Sequence, residues 1–114
     1  GKKPVVIEFW ATWCPLCARL FPTLEAAYRR HGADVDFVVI AVAVNQSPRS
    51  IRRHLAGHPL PFRVLWDTEG RATRAFAAPT TSYVVALDAK GRVVYTGVGD
   101  EQDIELAVSR ARGR

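Results

Sequence analysis

Apolar residues fall in short blocks along this chain, and the blocks alternate between two periods. Val5-Val6-Ile7-Glu8-Phe9-Trp10 follows Pro4, is β-branched and aromatic, and reads as a buried central strand with one charged residue, Glu8, inside it. Ala11-Thr12-Trp13 makes a loop, and from about Cys14 the period changes. Leu16, Leu20, Leu24 and Ala27 recur at helical spacing. Pro15 suits the first turn, where a missing N–H is no loss, and Pro22 should kink the helix before it stops around His31-Gly32. Residues 35–44 form the strongest strand pattern. Ser47-Pro48 is an N-cap followed by proline at the first helical position, opening a helix to about Ala56. Residues 62–66 read as another strand, 67–70 as a turn and 71–76 as one or two helical turns. Residues 82–87 and 92–97 flank Asp88-Ala89-Lys90-Gly91, a hairpin signal. Asp100 is expected to cap a last helix carrying Ile104, Leu106, Ala107 and Val108.

The order β-α-β-α-β-(α)-β-β-α implies an α/β fold. Its central mixed sheet has parallel strands covered by helices on both faces and an antiparallel hairpin closing one edge. Residues 1–114 are expected to form one domain, with no linker, repeat or low-complexity tract. At this size the chain can bury a core without covalent staples, so its two cysteines are not needed to hold it together.

Charge narrows the reading little. The net charge is +5, which suits an anionic partner or surface, but the arginines are dispersed and not interleaved with stacking aromatics. No nucleic-acid partner is expected. The longest apolar run, residues 37–44, is far short of the ~20 residues that span a bilayer. The chain opens Gly1-Lys2-Lys3 without an initiator Met, so it is expected to be a processed or trimmed piece, with any membrane tether lying outside it.

The chemistry concentrates at Cys14-Pro15-Leu16-Cys17. Unpaired N–H groups and the helix dipole at a helix start favour negative charge, so the first thiol is stabilised as thiolate, the attacking species. The second cysteine lies one turn on, within reach of an intramolecular disulfide. Cys14 is therefore the expected exposed nucleophile and Cys17 the buried thiol that resolves the mixed disulfide. Two rival readings stand beside this one: two buried thiols that only pack, and a metal site of Cys14, Cys17, His54 and His58. The separation of the two halves of that site is far longer than in a compact zinc finger. No metal is expected, and His54 and His58 read more simply as a solvated helix face.

The segment Phe9-Trp10-Ala11-Thr12-Trp13-Cys14-Pro15-Leu16-Cys17 closely resembles the active-site segment of the thioredoxin-like superfamily. Other features fall in the family's order: Pro22 five residues after the second cysteine, Ala78-Pro79-Thr80-Thr81 before a strand, and Asp88 to Val94 as the last hairpin. The chain is most similar to the TlpA/ResA-type branch, which also carries an extra segment like that from about Gln46 to Asp67. The resemblance implies the thioredoxin fold and a protein-disulfide reductase with no cofactor beyond a redox-active Cys14–Cys17 disulfide. It implies electron transport from an upstream thiol reductant to disulfide-containing protein substrates, including a place in cytochrome c biogenesis. It further implies an extracytoplasmic, periplasmic or membrane-anchored bacterial protein, here expected to be monomeric; the sequence leaves a cytoplasmic location open. The glutamate that some members carry between the cysteines is absent.

Site roles follow from the same resemblance. Glu8 sits six residues before Cys14, where thioredoxins carry a buried acid, and becomes the expected proton acceptor for Cys17 through a water. Pro79 is expected to be the family's cis-proline, exposing Ala78 backbone groups to an extended substrate. Trp13, with Pro15, Leu16, Pro79 and Gly97, is expected to line the docking groove. Two other function classes remain: a disulfide-forming oxidase, disfavoured because Pro15-Leu16 offers no cation to the thiolate, and a non-catalytic carrier or metal chaperone.

Overall fold

A computed structural model describes residues 3–114; Gly1 and Lys2, the first two residues of the predicted domain, lie outside them. Five strands and four helices follow in order: β1 Val5–Trp10, α1 Pro15–His31, β2 Asp36–Ala41, α2 Pro48–Gly57, β3 Arg63–Trp66, α3 Arg71–Ala75, β4 Tyr83–Leu87, β5 Val93–Val98 and α4 Ile104–Ala111. A single 3₁₀ turn, Thr68–Gly70, leads into α3.

The sheet order is β3-β2-β1-β4-β5, with β1, β2 and β3 parallel and the β4-β5 hairpin antiparallel to them. β1 is central, and Glu8 lies opposite Val39 on one side and Val84 on the other. Alternation along β1 sends Val6, Glu8 and Trp10 to one face and Ile7 and Phe9 to the other. On the first face Leu24 of α1 lines a small cavity with Glu8, and Trp10 meets Phe21 of α1 and His54 of α2. α4 packs on the same side against α1, β4 and β5. On the second face Phe9 meets Phe76, just past α3. The sheet is thus mixed and flanked by helices on both faces.

Because β1 and β2 are parallel and each is followed by a helix, α1 and α2 start at the same end of the sheet. That end carries the site. α1 continues through Pro22 without a break and buries Cys17, Leu20, Leu24 and Ala27 along one stripe. Gly32 follows it, and a Cβ there would come within 2.6 Å of the Tyr28 carbonyl oxygen.

Three local expectations are corrected. β2 ends at Ala41, where its ladder with β3 ends; residues 42–44 leave the sheet, and Asn45 turns the chain with φ 51°. The cap of α4 is Asp103, which accepts from the Leu106 amide at 3.0 Å, while Asp100 is drawn off into an ion pair with Arg19. Leu106 points outward, and the core face of α4 is Ile104, Ala107, Val108 and Ala111. No helix among the described residues is long and apolar enough to cross a membrane.

Candidate active site

Cys14 is the N-cap of α1, in extended conformation, with Pro15 at the first helical position. Its Sγ is bonded to Cys17 Sγ across a Cα–Cα distance of 5.3 Å and accepts the Cys17 amide N–H at 3.1 Å. The helix end therefore aims a backbone donor at the first sulfur. Cys17 is fully buried, with its Sγ 3.9 Å from the Phe9 carbonyl oxygen. Cys14 is not exposed as expected: only 7% of its surface is accessible, because the capping geometry and the disulfide turn its sulfur inward over the helix end. It remains the more accessible of the two.

Glu8 lies beneath this site on the face of β1 that looks at α1, 1% exposed. Neither carboxylate oxygen has a hydrogen-bond partner. A cavity of about 10 Å³ adjoins it, lined by Val6, Leu24, Phe37, Val38, Val39 and Phe62. Apolar surroundings penalise the charged form, so burial pushes the Glu8 carboxyl well above the usual carboxylate range. Its chain neighbour, Phe9, is the residue whose carbonyl faces Cys17.

The loop before Cys14 is held from the end of β2. Gln46 Oε1 accepts the Thr12 amide at 3.0 Å, and Gln46 Nε2 donates to the Val42 carbonyl at 2.7 Å and the Trp10 carbonyl at 3.3 Å. Trp13 Nε1 donates to the Val44 carbonyl at 2.9 Å. The same residues wall one side of an apolar groove of about 540 Å³: Trp13 and residues 42–44 on one bank, Thr73, Arg74 and residues 78–81 on the other. Asp67 anchors that second bank, accepting from the Ala72 and Thr73 amides at 2.8 and 3.0 Å and from Thr73 Oγ1 at 2.6 Å. Burial alone would raise its carboxyl, but these bonds, with Arg74 nearby, outweigh it and hold the carboxyl below its ordinary value.

Of the residues expected in the groove, Trp13, Ala78 and Pro79 line it. Pro15 and Leu16 sit outside it, exposed on the first turn of α1. Gly97 faces elsewhere: a Cβ there would come within 2.5 Å of both the Tyr95 hydroxyl and Gln102 Oε1, so its smallness makes room for the hydrogen bond between those two groups. Pro79 is not a cis-proline, since every peptide bond among the described residues is trans. The chain reverses instead through left-handed residues on either side, Ala77 at φ 51° and Ser82 at φ 58°. The Ala78 amide is already committed to the Thr73 carbonyl at 2.9 Å, which leaves only its carbonyl for an added strand.

His54 and His58 stack on α2 with ring centroids 4.5 Å apart, and burial followed by the neighbouring His58 lowers His54 from its ordinary value. No group of three or more His, Cys, Asp or Glu side chains placed to hold a metal occurs among the described residues. Gln46, Asp67 and Arg74 had no sequence signal. Each acts through a contact that only the folded chain brings about.

The family model described as Redoxin matches residues 1–113. Sporulation thiol-disulfide oxidoreductase A of Bacillus subtilis is 26% identical over 101 residues, covering 87% of this chain and 61% of that protein. The crystal structure of StoA from the same organism superposes with a TM-score of 0.81 at 22% identity, over 95% of this chain and 83% of that one. Thiol-disulfide oxidoreductase ResA of B. subtilis is 26% identical over 97 residues, covering 85% of this chain and 54% of that protein. DsbE of Chlorobium tepidum, described as a thiol:disulfide interchange protein, superposes with a TM-score of 0.84 at 24% identity, over 96% of this chain and 79% of that one. The fold is thus thioredoxin-like, and the chain spans roughly three-fifths or less of the length of these curated relatives.

Proposed function

The chain belongs to the Redoxin family, and from that premise we propose that it is a thiol–disulfide oxidoreductase that reduces disulfides in partner proteins by cycling Cys14 and Cys17 between dithiol and disulfide. The observation that carries this reading is the asymmetry of the pair. A backbone donor at a helix start serves the sulfur of Cys14, while Cys17 is shut in behind it against the carbonyl of Phe9, whose chain neighbour Glu8 carries a buried, unpartnered carboxyl group.

In the reduced protein the Cys14 thiolate attacks one sulfur of a partner disulfide. That bond breaks, the partner's other sulfur leaves as a thiolate that takes a proton from solvent, and a Cys14–partner mixed disulfide forms. Cys17 gives up its proton, through a water, to Glu8 in its ionised form and attacks Cys14 Sγ, closing the Cys14–Cys17 disulfide and releasing the partner's second thiolate. Two electrons have moved to the partner. An upstream dithiol then reduces the disulfide and becomes oxidised itself, so the reading needs no cofactor beyond this pair. The groove between Trp13 and Pro79 would seat the partner chain. An extracytoplasmic setting and a role in cytochrome c maturation accord with the ResA resemblance.

The test is a trapping pair. Cys17→Ser should accumulate stable mixed disulfides through Cys14 on non-reducing gels, and Cys14→Ser should accumulate none. Faster alkylation of Cys17 than of Cys14 in the reduced protein near neutral pH would reverse the assignment.

A further inference from the structure

We infer that the exposed face of α2 is a cationic docking shoulder that selects partner disulfides flanked by acidic residues. The inference rests on the proposed reduction of partner disulfides and names their charge. Between Asp36 and Asp67 the chain has no acidic residue and four arginines, against a whole-chain net charge of +5. Three of them, Arg49, Arg52 and Arg53, stand at i, i+3 and i+4 on α2, one stripe of the helix surface. All three are exposed, and none meets an acidic side chain among the described residues.

The stripe starts just past the loop that clamps the segment leading into the disulfide. Arg49 lies three residues past Gln46, whose side chain holds Thr12, two residues before Cys14. Arg52 and Arg53 follow within about 6 Å along the helix axis. Across the site, before α4, the charge is acidic: Asp100 pairs with Arg19 at 3.0 Å, Asp103 caps the Leu106 amide, and Glu101 is exposed with no ion-pair partner among the described residues. The field at the site is therefore lopsided, with uncompensated positive charge on the α2 side. Beside the stripe, Trp13 and Val44 are about half exposed and offer apolar contact.

A lipid surface fits this geometry poorly. A membrane-lying helix must have its apolar face free to enter the bilayer, whereas α2 buries Ile51 and packs Leu55 against the core. A protein carrying acidic residues beside its disulfide needs only the exposed stripe. Rim charges of this kind act on the rate of encounter and its salt dependence.

The experiment compares two disulfide peptides, alike except for three Asp or three Lys flanking the cystine, at low and high ionic strength. For the wild-type protein the acidic peptide should have a kcat/KM about tenfold higher at low salt, falling toward parity near ~0.5 M salt. Arg49→Glu/Arg52→Glu/Arg53→Glu should invert the preference, and the neutralised Arg→Gln triple variant should sit between. A control with the same change in net charge at the far end of the sheet, Arg63→Glu/Lys90→Glu/Arg114→Glu, should keep most of the preference. Equal rates for the two peptides at low salt, or equal loss in both triple variants, overturns the proposal. So does co-sedimentation with phosphatidylglycerol vesicles in the absence of any peptide preference, which would assign the stripe to lipid. Failure of the wild-type protein to reduce either peptide would instead overturn the redox reading itself.

Discussion

The helices that start side by side at the active end of the sheet open on the same four-residue pattern, with a thiol or hydroxyl at the first and fourth positions and proline at the second. α1 begins Cys14-Pro15-Leu16-Cys17 and α2 begins Ser47-Pro48-Arg49-Ser50. In both, an extended cap residue precedes proline, and its side chain accepts the amide N–H of the residue three further on at 3.1 Å. In α2 the exchange is reciprocal and polar: Ser50 Oγ accepts the Ser47 amide at 2.9 Å, completing a capping box. In α1 the fourth residue, Cys17, answers with a sulfur–sulfur bond. One backbone solution thus serves two ends, and the difference of oxygen and sulfur turns a cap into a redox centre. A hydroxyl at a helix start stays a hydroxyl. A thiol at the same place loses its proton within reach of neutral pH.

The largest effect comes from making the two starts alike. Cys14→Ser should keep the cap and the fold and abolish turnover, with disulfide reduction falling at least about a thousandfold, since the thiolate itself is the nucleophile. The converse variant carries the comparison further. Ser47→Cys, in a Cys14→Ser/Cys17→Ser background, should give a thiol that alkylates several-fold faster at pH 7 than the same thiol in the unfolded chain, because the helix end and Arg49 favour its thiolate. Equal alkylation rates would mean that the helix start alone does not activate a sulfur here.

Next in size is Glu8, which α1 has beneath it and α2 lacks. With its carboxyl raised by burial, the folded chain holds the proton that the unfolded chain releases above about pH 4.3. The native state then binds more protons, so this contribution to stability is whole below that pH and is lost as pH rises toward the folded value. Glu8→Leu should remove that pH dependence and, by eliminating two unpartnered buried oxygens, stabilise the protein at pH 7 by about 1–3 kcal/mol in denaturant melts. The same variant should close the Cys14–Cys17 disulfide at least about tenfold more slowly in stopped-flow exchange. A variant that is less stable and closes at the native rate would make Glu8 a passenger.

What was legible in the sequence follows the range of the interactions. The strands, the helices and the reactive pair rest on period, capping and spacing within a few residues, and the pattern showed them. Glu8 stood out because a charge inside an apolar strand is a local anomaly. Gln46 was silent: its function depends on Thr12, Trp10 and Val42, the first two more than thirty residues away. Pro79 and Gly97 were assigned by resemblance, and the structure departs from both assignments for reasons particular to this chain. The turn at residues 77–82 reverses at Ala77 and Ser82, and Gln102 occupies the space beside Gly97. Asp100 was the cap expected from the sequence; the cap is Asp103, three residues on, and Asp100 is held instead by Arg19, a partner that only the folded chain supplies.

Gln46 joins the two helix starts, and its effect should be intermediate. Gln46→Ala deprives the part-buried Thr12 amide and Val42 carbonyl of their partner, at a cost of about 1–3 kcal/mol. Gln46→Glu is the sharper test. Its carboxylate could still accept from Thr12 but would face the Trp10 and Val42 carbonyl oxygens, to which only the protonated acid can donate. The folded form of that variant should hold its proton above the unfolded value of about 4.3, so its stability should fall as pH rises from there, beyond any fall in the parent. A pH profile parallel to the parent's would show that the clamp is dispensable.

The smallest effect sets the strengths of the two caps against each other. Ser47→Ala removes an oxygen that accepts the Ser50 amide, and such a loss costs about 1 kcal/mol. Cys14→Ala, measured in a reduced Cys17→Ser background, removes a sulfur that is a weaker acceptor and should cost only a few tenths of that energy scale. Cys14→Ser in the same background should stabilise the helix relative to its cysteine parent, because serine caps better than any thiol. The order of stabilities in denaturant melts should therefore be Ser above Cys above Ala at position 14, with a smaller span between Cys and Ala than between Ser and Ala at position 47. If cysteine at position 14 caps as strongly as serine, the thiol gives up nothing at the helix end. In that case its presence there reflects reactivity added to an undiminished cap, and the two helix starts differ only in their chemistry.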